Sequence, residues 1–323
     1  MTDYAVTITA RESAELLSIV RDETPLGPTE VVGQTLASLI SAGTELASAY
    51  TGERFPVTPG YAAVFRVDAI GPRVREVQIG DHVFCMGPHR SHQRHLEKET
   101  ARVLNHVPAS KAVFARLMSV SMSTLNTSAA RPPAKVIVMG LGPVGFLAAQ
   151  LFSVCGYQVM ACDPVAQRRE WASARGVQIA PGPPFGDPRW DGKTSLVVEC
   201  SGHEQAALDA CRIVDKKGEV VLVGVPWKRH TDLSAHELLH AVFHRYVVLR
   251  SGWEWELPQH PAEFRAGSIW ENLEAALRWI GEDKIFLDGL ISTYSPRQCQ
   301  KAYQDLLLGK TQGLAAVFDW TQT

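Results

Sequence analysis

The stretch Lys135-Val136-Ile137-Val138-Met139-Gly140-Leu141-Gly142-Pro143-Val144-Gly145-Phe146, running on to Val159-Met160-Ala161-Cys162-Asp163-Pro164, decides the fold. Val136 to Met139 is a short apolar run, three glycines follow in G-x-G-x-x-G spacing, and Phe146 to Val154 is apolar enough for a buried helix. A second strand, Gln158 to Cys162, ends in Asp163, 18 residues after Gly145. That is the distance at which a dinucleotide fold places the acid that holds the adenosine ribose. Gly140 allows the turn, Gly142 lets backbone N–H groups approach a pyrophosphate at the positive end of a helix, and Gly145 lets that helix pack closely on the sheet.

No charged residue falls between Lys135 and Asp163, so length alone would admit a membrane span. The glycines, Pro143 and Gly156 argue against one, and no basic flank or aromatic belt frames the run. A buried parallel strand with its crossover helix accounts for the apolarity. With 323 residues, two domains are the default expectation. The 32 basic and 34 acidic residues leave a net charge of -2, which suggests neither nucleic acid nor an anionic membrane as partner. No apolar signal region follows Met1, and a cytoplasmic protein is expected. Six scattered cysteines without a C-x-x-C pair read as free, mostly buried thiols.

The front of the chain reads as all-β. Strands are expected at Tyr4 to Ile8, Glu15 to Val20, Glu30 to Ile40, Ala62 to Ile70 and His82 to Met86, separated by turn clusters such as Pro56 to Gly60. From Val113 to Ala129 the pattern turns helical and is stopped by Arg131-Pro132-Pro133. Strand and helix then alternate, with helices at Ala166 to Arg175, Glu204 to Val214 and Leu233 to His244, and strands at Leu196 to Cys200, Glu219 to Val225 and Tyr246 to Arg250. This is the rhythm of a doubly wound parallel sheet. Trp270 to Ile280 and Ser295 to Leu308 read as amphipathic helices, and Leu314 to Phe318 as a last strand.

The chain resembles the medium-chain dehydrogenase/reductase superfamily over nearly its whole length. The matching landmarks are Ser41-Ala42-Gly43-Thr44-Glu45, Pro59-Gly60-Tyr61-Ala62, Gly80-Asp81-His82-Val83, Gly140-Leu141-Gly142-Pro143-Val144-Gly145 and Val221-Leu222-Val223-Gly224. The resemblance implies an α/β protein with a GroES-like β domain (residues 1–118), a Rossmann domain (119–269) and a return to the first domain (270–323). It further implies a coenzyme site built from Gly140, Gly142, Pro143, Val144, Gly145, Asp163 and Arg168, with Thr124 on the nicotinamide, Ser201 and Gly202 on its ribose, Val223, Gly224 and Val225 on the carboxamide, and Ser251 beyond the last strand.

Zinc-dependent members carry Cys-Gly-Thr-Asp and Gly-His-Glu at the first two landmarks, whereas the aligned positions here are Ala42, Tyr61 and Ala62. Alanine has no donor atom, and Gly80 to Leu96 is too short for a cysteine-rich lobe, so no metal is expected at either zinc site. The chain is similar to the zinc-independent branch, which includes quinone and enoyl reductases and, more distantly, bacteriochlorophyllide dehydrogenase. Without zinc, charge on the substrate oxygen must be met by hydrogen bonds. Tyr61 at the place of the lost histidine and Thr44 at the relay-hydroxyl position are the candidate donors, Glu45 orders the site, and His92 is a candidate substrate contact.

The expected activity is NAD-dependent hydride transfer between nicotinamide and an alcohol or carbonyl of a small or medium-sized molecule, with NAD(H) favoured over NADP(H). A quinone or enoyl reductase is the alternative, and a coenzyme-binding protein with little turnover stays open. A remote alternative is a zinc peptidase through His236-Glu237-Leu238-Leu239-His240, with His244 extending the histidine face and Glu254, Glu256 or Glu263 as third ligand. His89, His92 and His95 are expected on a solvated loop, and Trp253 and Trp255 as packing residues. A homodimer is expected because the apolar last strand would otherwise leave an open edge.

Overall fold

The computed structural model describes residues 2–322, which divide into two compact units, 2–116 with 273–322, and Leu117–Asn272. The first unit is built on a seven-stranded sheet. Along it run Ile291–Tyr294, Ala315–Asp319, Glu30–Leu39, Ala63–Ile70, His82–Cys85 and Thr100–Arg102, with His92–Leu96 also pairing Glu30–Leu39. A separate hairpin joins Thr2–Ala10 to Ser13–Val20. Alternating side chains of these strands bury Val31, Phe65, Val67 and Val83 on one side. Val6, Ile8, Tyr50, Tyr303, Phe318 and Trp320 form a second core, into which the C-terminal strand and helix bring aromatic residues. Each fully buried large apolar side chain contributes about 1.5–3 kcal/mol.

The second unit is a six-stranded parallel sheet. Its order is Gln178–Ala180, Gln158–Cys162, Lys135–Met139, Thr194–Glu199, Val214–Leu222, Val248–Ser251. Numbered along the chain this is 3-2-1-4-5-6, the doubly wound order, so the direction of winding reverses between Lys135–Met139 and Thr194–Glu199. The helix Pro143–Val154 buries Phe146, Leu147 and Leu151 against the sheet, as expected of a crossover helix. Among the described residues no helix is long and apolar enough to cross a membrane.

Three local expectations are corrected. The histidine segment is not a solvated loop. His92–Leu96 is a strand in register with Glu30–Gln34, Gln93 is buried and bonded to Thr35 and Pro88, and His89 is fully buried. Its polarity misled because the polar side chains find partners inside the unit instead of water. Trp253 is 69% exposed and Trp255 44%, so neither is a packing residue. The helix expected from Leu233 begins at Ala235, where the Ser234 hydroxyl caps it by accepting from the His236 N–H. All six cysteines are free, four of them buried.

Candidate functional site

In the second unit, the glycine turn stands at the switch point. Gly140 has φ +88°, and a Cβ there would lie 3.0 Å from Ser201. A Cβ on Gly145 would sit 1.8 Å from the Gly140 carbonyl oxygen, so only glycine lets the helix approach this closely. At Gly142, which caps Pro143–Val154, a Cβ would meet nothing within 4 Å. The first N–H groups of that helix have no partners within it, and they stand at its positive end.

Asp163 is buried and braces this turn. One carboxylate oxygen accepts from the Leu141 N–H at 2.7 Å, the other from the Val165 N–H at 2.8 Å, and Arg168 stands 3.4 Å away. Across the switch point Glu199 accepts from the N–H groups of Ser201 (2.7 Å) and Gly202 (3.0 Å) and from the Ser201 hydroxyl, fixing that loop. Burial pushes the Glu199 carboxyl above its usual range, and the Ser201 and Gly202 hydrogen bonds pull it partly back. Thr124 Oγ1 is buried and makes no hydrogen bond among the described residues. A buried hydroxyl without a partner calls for an explanation. Val223 and Gly224 send their N–H groups back to the Glu199 carbonyl, Val225 is exposed, and Ser251 ends the edge strand with its hydroxyl accepting from Trp253 N–H.

In the first unit, Ser41 precedes the helical turn Ala42–Glu45. The Glu45 side chain folds back, one oxygen accepting from the Ser41 N–H at 2.8 Å. Its other oxygen accepts from the Tyr303 hydroxyl at 2.6 Å and lies 3.0 Å from His89 Nε2. His89 Nδ1 lies 2.8 Å from Ser38 Oγ, which accepts from Trp320 Nε1 at 2.8 Å. A proton on His89 Nε2, with the Ser38 hydroxyl donating to Nδ1, satisfies every member of this buried chain. Beside it, the Tyr61 hydroxyl donates to Ser41 Oγ at 2.5 Å. Burial is the largest influence on the Tyr61 phenol and pushes its pKa up, as does the charge of Glu45, whereas hydrogen bonding to Ser41 and Thr44 and the charge of Arg116 act the other way. At neutral pH Tyr61 is therefore a proton donor.

Tyr61, Thr44 and Glu45 thus come together, whereas His92 belongs to a different cluster. His92 Nδ1 lies 3.1 Å from Asp3 and 3.0 Å from Arg21, and Nε2 lies 3.8 Å from Asp68. These groups line an open cavity of about 680 Å³. Burial holds the His92 imidazole below its usual pKa. On the helix Ala235–Arg245, the His240 and His244 rings are 4.2 Å apart and those of His236 and His240 6.1 Å. Glu237, the would-be base, is paired with Arg212 at 3.0 Å. Among the described residues no three His, Cys, Asp or Glu side chains form a group that could hold a metal.

The family described as Zinc-binding dehydrogenase matches residues 143–254. Alcohol dehydrogenase 1 of Trifolium repens is 34% identical over 116 residues, 33% of this chain and 30% of that protein, so the match spans under a third of the relative's length. Galactitol-1-phosphate dehydrogenase from Escherichia coli has the same fold over 98% of this chain and 99% of its own, with TM-score 0.82 and 18% identity. Quinone oxidoreductase of Pseudomonas syringae pv. Tomato DC3000 does so over 99% and 100%, with TM-score 0.77 and 18% identity.

Proposed function

Since the chain belongs to the alcohol dehydrogenase-like medium-chain dehydrogenase/reductase superfamily, we propose that it is an NAD-dependent oxidoreductase that works without zinc on an alcohol or carbonyl compound of small or medium size. The observation that carries this reading is the open helix N-terminus at Gly142, at the switch point of the sheet, with Asp163 and the partnerless Thr124 hydroxyl in the same unit. These residues suit a dinucleotide. The helix N–H groups would take the pyrophosphate, Asp163 and Arg168 the adenosine ribose, Ser201 and Gly202 the second ribose, Thr124 the nicotinamide, and the backbone of Val223 to Val225 its carboxamide. When bound, the coenzyme supplies a hydride acceptor or donor at the nicotinamide ring.

The residues of the first unit do not suit a zinc ion. Ala42 and Ala62 carry no donor atom, the Tyr61 hydroxyl is given to Ser41, and Glu45 is shared among Ser41, His89 and Tyr303. Cys85 is fully buried, and burial raises its thiol pKa, away from the thiolate a metal needs. Tyr61 and Thr44 take over the task instead. In carbonyl reduction the Tyr61 phenol gives its proton to the carbonyl oxygen as hydride reaches the carbon, and the phenolate recovers a proton from water through the Ser41 hydroxyl. Glu45 holds Ser41 through its backbone, and the buried His89 and Tyr303 hold Glu45, with Ser38 and Trp320 behind His89. A second reading, reduction of a quinone or enone, is favoured by the same donors, because a phenol that meets an alkoxide also meets an enolate.

Turnover by Tyr61→Phe tests the assignment. Loss of one preorganised donor lowers turnover by about two to three orders of magnitude, with coenzyme affinity unchanged. Full activity would return Tyr61 to a filler. Assays of alcohols and ketones beside quinones and enones separate the two readings.

A further inference from the structure

Arg116 is the second residue of the helix Ala115–Thr127 and is 5% exposed, between the buried Phe114, Ala115, Leu117 and Met118. Nothing about helix stability asks for arginine there. A cation in the first turn is opposed by the helix dipole, and burying a guanidinium costs desolvation that its partners must offset. The guanidinium carbon lies 4.9 Å from the centroid of the Tyr61 ring, a cation–π distance. The other groups influencing the Tyr61 phenol are the hydroxyls of Ser41 and Thr44 and the carboxylate of Glu45, all from the helical turn Ala42–Glu45 and the residue that precedes it.

We propose that Arg116 is a positioning residue of the reaction, a fixed positive charge on the face of Tyr61 that compensates the negative charge left on the phenol oxygen after proton transfer and so does part of the work of an active-site metal. The proposal rests on the hydride-transfer reading above and adds to it the source of the field. Tyr61 alone cannot supply that field. When the phenol yields its proton to the substrate oxygen, the O–H bond of tyrosine breaks, the O–H bond of the product alcohol forms, and a phenolate remains beside Glu45. Two negative groups in a poorly hydrated site repel each other, and the guanidinium is the nearby opposite charge. In the direction of alcohol oxidation the same charge favours the phenolate that must take up the substrate proton. Arginine suits the position because its planar, weakly hydrated cation stacks on a ring while staying charged at every working pH.

The test reads the phenol directly. Ultraviolet difference titration of the full-length protein against Tyr61→Phe isolates one of seven tyrosines, and it needs neither substrate nor coenzyme. The titration is repeated with Arg116→Met, which keeps bulk without charge, and Arg116→Lys, which keeps charge without the plane. The expected result is that Tyr61 ionises at higher pH in Arg116→Met and returns toward the wild-type value in Arg116→Lys. Turnover should fall by about two orders of magnitude in Arg116→Met, with KM and coenzyme affinity little changed, and Arg116→Lys should recover part of it. An unmoved Tyr61 titration in a folded Arg116→Met, or identical titrations in the Met and Lys variants, would overturn the proposal. Failure of the wild type to bind coenzyme would remove the hydride-transfer reading instead, and the titration would still decide the role of Arg116.

Discussion

Glu45 and Tyr303, 258 residues apart in the chain, meet in a 2.6 Å hydrogen bond that is closed to solvent at both ends. The C-terminal return of the first unit thereby fixes the carboxylate that orients Ser41. Burial first, and then the Glu45 charge, raises the Tyr303 phenol well above its usual range, so it remains a donor. Tyr303→Phe leaves that carboxylate oxygen with His89 alone. A hydrogen bond to a charged group contributes about 1.5–3 kcal/mol, and the expected loss of stability, read from urea unfolding, is of that order. A smaller loss than in an exposed Tyr246→Phe control would show that Glu45 does not depend on Tyr303.

Stability should also depend on pH through His95. Burial is the main cause holding its imidazole below the ordinary 6.5, with Glu99 opposing and Arg90 adding to the shift. The unfolded chain therefore takes up this proton at a higher pH than the folded chain does. The stabilisation is present above pH 6.5 and is lost as pH falls through the lower folded value. Urea midpoints measured from about pH 7.5 to about pH 5 should fall less steeply in His95→Gln than in the wild type. Parallel profiles would contradict the assignment.

NAD(H) should bind more tightly than NADP(H). A 2′-phosphate brought to about 4 Å of Asp163 meets repulsion of about 4 kcal/mol per unit charge at an effective dielectric near 20, and Arg168 offsets part of it from 3.4 Å. Fluorescence titration with both coenzymes decides this. Equal affinities would mean that Arg168 and Arg169 outweigh the carboxylate.

Among the described residues the edge strand Val248–Ser251 has a neighbour on one side only, and Phe243, Tyr246 and Val248 around it are exposed. A second copy pairing along this edge would satisfy its backbone and cover these side chains. Sedimentation at micromolar concentration should show a dimer, and Val248→Lys should shift it toward monomer. A monomeric wild type would remove the idea.

What the sequence made legible was local. The glycine spacing, the apolar run before it and Asp163 after it all lie within 30 residues, and one parallel unit follows from them. The polar network was not legible, because Ser38, Glu45, His89, Tyr303 and Trp320 come from distant segments and no periodicity links them. His89 looked like one of three solvated histidines, yet it is fully buried, since partners rather than residue type decide whether a polar group stays inside. Arg116 did leave a signal, a lone charge in Val113-Phe114-Ala115-Arg116-Leu117-Met118, which a burial argument could have flagged. Short strands such as His92–Leu96, Gln178–Ala180 and Ile291–Tyr294 were missed because they are held by neighbouring strands rather than by β-branched composition.

The central claim is hydride transfer without zinc, and turnover after exhaustive chelation tests it most directly. The measurement belongs in a variant carrying His236→Ala, His240→Ala and His244→Ala, so that metal caught on the exposed histidine face is not mistaken for a catalytic ion. A catalytic zinc supplies several kcal/mol of transition-state stabilisation, which Ala42 and Ala62 have no donor atoms to hold. The expected result is unchanged turnover after chelation and no gain on adding zinc. Turnover lost on chelation and restored by zinc would contradict the claim.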